Sequence, residues 1–140
     1  LAAAGWQVTT VDSSAKRLER MAANFARCDL AAEVVTADVR TWEPTERYDA
    51  ILLDVDNGPD GFIRDANDRL YCNWGIRSAR KALRPGGVLA VWSAYPDGDF
   101  VTRLRDGGFA VEELTIPAYV GSQTDMHCIW LASKPAAGVA

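Results

Sequence analysis

The segment YDAILLDVDNGPDGF, Tyr48 to Phe62, decides the fold. Its first half holds an unbroken apolar run, Ala50-Ile51-Leu52-Leu53. Continuous rather than alternating hydrophobicity over one strand length marks a strand covered on both faces, as in a parallel sheet sheathed by helices. The second half delivers Asp54, Asp56 and Asn57 together, then Gly58, Pro59 and Gly61. Carboxylates at a strand end can orient and deprotonate an amine nucleophile, or hold a cationic substrate by charge. Asp, Asn, Gly and Pro are also what any sharp exit from a strand uses. Three acceptor side chains within four residues favour the functional reading. The order DVDNGPDGF lacks the spacing of a calcium loop, and no metal site is expected.

Upstream, LAAAG closes on Gly5 as a helix C-cap would, and WQVTTVD follows with the β-branched enrichment of a strand ending at Asp12. From Ser14 to about Cys28, Ala15, Leu18, Met21 or Ala22 and Phe25 recur at helical spacing between charged residues, which predicts an amphipathic helix. AEVVTAD is a second short strand ending in Asp38, and TWEPTER connects it to YDAILLD. Downstream, a helical stretch over 65–83 would turn Leu70, Tyr71, Trp74, Ala79, Ala82 and Leu83 to the sheet and stop at Arg84-Pro85-Gly86-Gly87. VLAVWSA is a fourth strand, DFVTRLRDGGF a short helix, and AVEELTIP and HCIWLAS two final strands joined by AYVGSQTDM. Strands alternating with helices and closing on two successive strands predict a parallel sheet with an antiparallel hairpin at one edge.

In such sheets ligands bind outside the carboxyl ends of the strands, and Asp12, Asp38, Asp54 and Ser93 all fall at or just past such ends. A carboxylate can accept from both hydroxyls of a ribose, so Asp12 suits a nucleoside; Asp is equally a good cap for the helix that follows. Asp38 could accept from an adenine amino group, or could simply shape a turn. His127, the single histidine, lies in an apolar strand and reads as a partly buried ring rather than a catalytic base. Trp42, Tyr48, Trp92 and Trp130 read as core or core edge.

The 140 residues fit one domain, 1–140, and 49% hydrophobic with 24% charged residues is a globular balance. Fifteen Lys and Arg against 19 Asp and Glu give a net charge of −4, which offers nucleic acid no global positive field. No apolar run approaches the roughly 18 to 20 residues that cross a bilayer, so a cytoplasmic protein without membrane contact is expected. Cys28, Cys72 and Cys128 are odd in number and far apart, and read as buried, reduced thiols. The chain begins at Leu1 rather than Met, and LAAAG reads as the last turn of a helix, as in a fragment of a longer protein.

With these residues in place, the chain resembles the class I S-adenosylmethionine-dependent methyltransferase fold, and within it the spermidine synthase, or polyamine aminopropyltransferase, branch. The likeness covers nearly the whole chain. YDAILLDVDNGP followed by LYCNWGIRSARKALRPGGVLAVWSA is similar to that family's strand, catalytic Asp, acidic turn and helix, and TIPAYVGS with WLASK resembles its proline-tyrosine-glycine loop and last strand. The resemblance implies a Rossmann-like sheet whose first strand and glycine-rich loop are missing from this sequence. It implies that Asp12 with Ser13, Asp38 with Val39, and Asp54 bind S-adenosylmethionine or its decarboxylated form. Asp54 would also activate the attacking amine, with Asp56, Asn57 and Tyr119 shaping the amine pocket and methylthioadenosine leaving as product. Asn57 stands where the family carries an Asp, and Pro59 is displaced by one residue, so the identity of the amine stays open.

The first 45 residues also resemble ribosomal RNA cytosine-5 methyltransferases, although DVDNGP holds no cysteine beside its proline to serve as their nucleophile. Methyl transfer to a small molecule or to RNA, and a catalytically silent nucleoside-binding module, are therefore the alternatives to aminopropyl transfer. An open edge left by a missing first strand would invite a second copy to pair as a homodimer.

Overall fold

The computed structural model describes residues 1–39, 41–54, 73–94, 96–136 and 138, with Asp54 described in its backbone alone. Asp56 and Asn57 therefore lie outside the described residues, as do Leu70, Tyr71 and Cys72. The chain forms two compact units, Leu1–Glu43 and Pro44–Ala140.

The first unit opens with a single 3-10 turn, Ala2–Ala4, closed by Gly5 in the left-handed region at φ 84°, a backbone conformation that glycine adopts without steric cost. Strand β1, Thr9–Asp12, follows, then helix α1, Ala15–Arg27, and strand β2, Glu33–Thr36. The two strands run parallel, with Asp12 opposite Thr36. The expected helix is found nearly residue for residue. It starts where it does because Ser14 is the N-cap, its Oγ accepting from the Arg17 N–H at 3.3 Å. The cap role open to Asp12 thus falls to Ser14. Along α1, Leu18 is the residue that is fully buried.

Among its described residues the second unit holds a four-stranded sheet in the order β3-β4-β6-β5. Strand β3 is Tyr48–Asp54, helix α2 Asn73–Ala82, strand β4 Leu83–Ser93, helix α3 Gly98–Asp106, strand β5 Ala110–Pro117 and strand β6 Met126–Ser133. Strands β3 and β4 are parallel; β6 is antiparallel to both β4 and β5. This is a mixed sheet whose parallel pair β3-β4 and terminal hairpin β5-β6 follow the predicted order, while β1 and β2 pair in a sheet of their own.

Three expectations are corrected. Strand β4 begins at Leu83, ahead of Pro85, instead of after the glycines: its pairing with β3 shifts register between Tyr48 and Ala50, and that irregularity takes up Arg84-Pro85-Gly86-Gly87. Trp74 of α2 is 44% exposed and Ile76 is buried in its place, while Ala79 packs on the core and Leu83 is buried, as expected. Leu52 is 58% exposed while Ile51 and Leu53 pack on the core, so among the described residues β3 is covered on one face.

That covered face holds the core. Leu89, Val91, Cys128, Trp130 and Ala132 point from the sheet toward Ile76, Phe100, Val101 and Leu104 of the helices. The Phe100 and Trp130 rings meet edge to face with centroids 5.1 Å apart, a favoured aromatic geometry. Helix α3 is set by Asp97, whose carboxylate accepts from the Phe100 N–H at 2.9 Å. No helix among the described residues is long and apolar enough to cross a membrane.

Candidate functional site

In the first unit the strand ends present Asp12 and Asp38. Asp12 Oδ1 accepts from the Ser14 N–H at 2.7 Å and from Arg17 Nη2 at 3.0 Å, a turn in which an Asp side chain bonds the backbone two residues on. Its side chain is 25% exposed, and Oδ2 has no hydrogen-bond partner among the described residues. A carboxylate has about four acceptor positions, so the two on Oδ2 stay available to a diol. Ser13 beside it is exposed. Asp38 is half-buried, and its carbonyl accepts the N–H groups of Thr41 and Trp42 at 2.9 and 2.8 Å. Its backbone carbonyl therefore shapes the turn after β2, and Val39 next to it is exposed.

In the second unit Asp54 is the last residue of β3 and lies opposite Trp92 of β4. Ser93, the next residue of β4, is buried and faces Cys128 across the antiparallel ladder. Tyr119 sits in the β5–β6 connection, 62% exposed, its hydroxyl donating to Asp125 Oδ2 at 3.3 Å. Buried Ser122 holds that connection closed: its Oγ donates to the Asp125 carbonyl and accepts the Asp125 N–H, both at 3.0 Å. Sequence reasoning singled out Tyr119 and missed the Ser122–Asp125 clamp, although SQTD is a pattern of turn-forming residues. It also missed the pairing of Trp92 with His127, whose ring centroids are 4.7 Å apart.

Among the described residues of this unit, two groups are shifted from their ordinary pKa. Burial, with the Glu113 charge adding to it, pushes the Cys128 thiol up. Burial pushes the Lys134 ammonium down, with Arg47 and Arg80 adding repulsion. Lys134 Nζ nevertheless donates to the carbonyls of Arg80 and Leu83 at 2.8 and 2.7 Å, which ties the C-terminal end of α2 to the residue following β6. Both are structural groups. Cys28 is exposed, against expectation, because it is the C-cap of α1 rather than part of its inward face. Among the described residues no group of three or more His, Cys, Asp or Glu could hold a metal ion.

No protein-family model matches the chain. Over 61 residues it is 41% identical to the Ribosomal RNA small subunit methyltransferase B of Shewanella oneidensis, a match covering 41% of this chain and 14% of that protein. The chain thus spans about a seventh of the length of that curated relative. Its backbone superposes on the N-methyltransferase NodS of Bradyrhizobium japonicum in complex with S-adenosyl-L-homocysteine with a TM-score of 0.70. That match has 16% identity and covers 92% of this chain and 67% of NodS. An S-adenosylmethionine-dependent methyltransferase of Clostridium acetobutylicum gives a TM-score of 0.69 at 11% identity, over 94% of this chain and 76% of that one. The chain has the class I methyltransferase fold. None of the three proteins just named is an aminopropyltransferase. In this fold the described candidates fall into the Asp12 and Asp38 strand ends of the first unit and the Asp54 and Tyr119 positions of the second.

Proposed function

We propose that the chain is the nucleoside-binding part of an S-adenosylmethionine-dependent methyltransferase acting on a small molecule. The observation that carries this reading is the half-engaged carboxylate of Asp12. One oxygen is locked by Ser14 and Arg17 and the other has no partner among the described residues, at the carboxyl end of a strand in a fold shared with a methyltransferase solved with S-adenosyl-L-homocysteine. Asp12 would accept from the ribose hydroxyls, with Ser13 beside it. Asp38 and Val39 would border the adenine. Asp54 would take the proton from the attacking atom as its bond to the methyl carbon forms and the carbon–sulfur bond breaks. The sulfonium is already a good leaving group, so the chain's work is alignment and proton removal. A net charge of −4 argues against RNA as the acceptor.

Aminopropyl transfer to an amine is the narrower reading. It rests on DVDNGP, which lies mostly outside the described residues, and on the loop bearing Tyr119. The two readings differ in the donor. Thermal unfolding with S-adenosylmethionine, S-adenosyl-L-homocysteine, decarboxylated S-adenosylmethionine and methylthioadenosine separates them. Stabilisation by the carboxylate-bearing pair above the other two is expected. The reverse preference would replace methyl by aminopropyl transfer, and no response to any of the four would overturn both.

A further inference from the structure

The outward face of the β3-β4-β6-β5 sheet carries one imidazole with apolar neighbours around it, and Glu112 farther along the same face opposite Leu131. Strand alternation turns Cys128 and Trp130 into the core, and so turns His127 and Ile129 the other way. Cross-strand register then puts Trp92 and Leu114 on either side of Ile129, and Ile116 beside His127. Leu114 and Ile116 are exposed, and the Trp92 indole leans on the His127 imidazole at 43°.

Within this group His127 is incompletely satisfied. Its Nδ1 is enclosed and has no hydrogen-bond partner among the described residues, while the residue is part-exposed. Nε2 is therefore the nitrogen open to the outside. A neutral imidazole has one N–H and one bare nitrogen. Orphaned buried N–H groups are rarer than under-satisfied acceptors, so the hydrogen belongs on Nε2, where it is an outward donor beside the Trp92 face.

The geometry points to a binding site for a planar aromatic group that carries a hydrogen-bond acceptor such as a carboxylate or carbonyl oxygen. The ring lies on Trp92 and the acceptor receives the His127 Nε2–H. Trp92 is the cross-strand neighbour of Asp54, at the carboxyl end of β3, where a fold of this kind binds its ligands. The planar group is accordingly part of the molecule that receives the methyl group, an assignment that rests on the methyl-transfer reading.

Because His127 is the single histidine, its ring nitrogens can be followed without ambiguity by long-range proton–nitrogen NMR. The probe is benzoate, with cyclohexanecarboxylate as the non-planar control, each titrated with and without S-adenosyl-L-homocysteine. The expected result is a ring protonated on Nε2 and a saturable benzoate shift at Nε2 and at the Trp92 indole. Affinity for benzoate should exceed that for the control by at least about fivefold, the scale of one stacking contact. His127→Gln, which keeps an N–H donor near the same place, should hold benzoate within about threefold, while His127→Ala should lose about tenfold. Trp92→Leu should equalise the two acids. A hydrogen on Nδ1, the absence of a saturable shift, or equal binding of the two acids by the unaltered protein would overturn the site. Failure of S-adenosyl-L-homocysteine to bind while benzoate still does would overturn the methyl-transfer reading and the acceptor assignment, and leave the aromatic site standing.

Discussion

The indole Nε1 of Trp130 donates to Glu113 Oε2 at 2.6 Å, across the antiparallel pair that β5 and β6 form. Trp130 is 1% exposed and stands at the centre of the core, so its N–H depends on that one carboxylate. Glu113→Ala should strand the donor and cost about 1–3 kcal/mol. Glu113→Gln keeps an acceptor and should recover much of the loss. Urea unfolding followed by tryptophan fluorescence reads both, and equal stabilities for the two variants would remove the bond from any structural role.

Gly107 follows α3 where a Cβ would lie 2.5 Å from Ile76 Cγ2 and within 3.2 Å of the Leu104 carbonyl. Gly107→Ala should therefore cost about 1–3 kcal/mol by overpacking. The clash is chiefly with one methyl group, so Ile76→Leu, which removes that branch, should make the double variant more stable than the sum of the two single losses. Strict additivity in denaturant titrations would place the strain in the α3 backbone instead.

How far the sequence discloses these features depends on how local their causes are. Helix α1 is readable because its cap, its apolar stripe and its charged face all lie within 15 consecutive residues. The closing hairpin is readable because β5 and β6 are adjacent in the chain and rich in alternating apolar residues. Leu52 is not, since an apolar run specifies a strand without specifying which of its faces is covered. Pro85 and Gly86 read as a stop because the sequence does not reveal that β3 opposite them shifts register. Trp92 and His127 are 35 positions apart, and only the pairing of β4 with β6 makes them neighbours. Asp12 is the intermediate case. Its position past a strand is visible in the sequence, but the division of labour with Ser14, which caps the helix and leaves one carboxylate oxygen open, is set by three-dimensional turn geometry.

Alkaline pH should weaken the second unit through Cys128. Its thiol is held above the ordinary range by burial and then by Glu113, so the folded state keeps a proton that the unfolded chain gives up. The contribution is fully present below the ordinary thiol range, near about 8.5, and disappears as pH rises through the folded value. Lys134 acts with the opposite sign. Its folded value is lowered by burial, Arg47 and Arg80, so its charging penalty fades as pH climbs toward the ordinary lysine range. Cys128→Ala separates the two. The stability difference between the unaltered protein and this variant should shrink from pH 8 upward, and a difference that stays flat to pH 10 would contradict the thiol assignment.

Asp12 gives the most direct test of ligand binding. Arg17 is well exposed, and a salt bridge of this kind contributes about 0–1 kcal/mol, so Asp12→Asn should hardly change the melting temperature. A ribose held by the free oxygen would lose charge-assisted hydrogen bonds, about 1.5–3 kcal/mol, which corresponds to roughly 10- to 100-fold weaker binding of S-adenosyl-L-homocysteine. Arg17→Gln provides the contrast: it removes the salt bridge and leaves the carboxylate and its bond to Ser14 in place, so affinity should fall by no more than about threefold. Calorimetric titration of both variants decides the matter. If Asp12→Asn binds as tightly as the unaltered protein, the carboxylate is a turn-forming group alone, and the ribose must be held by other residues.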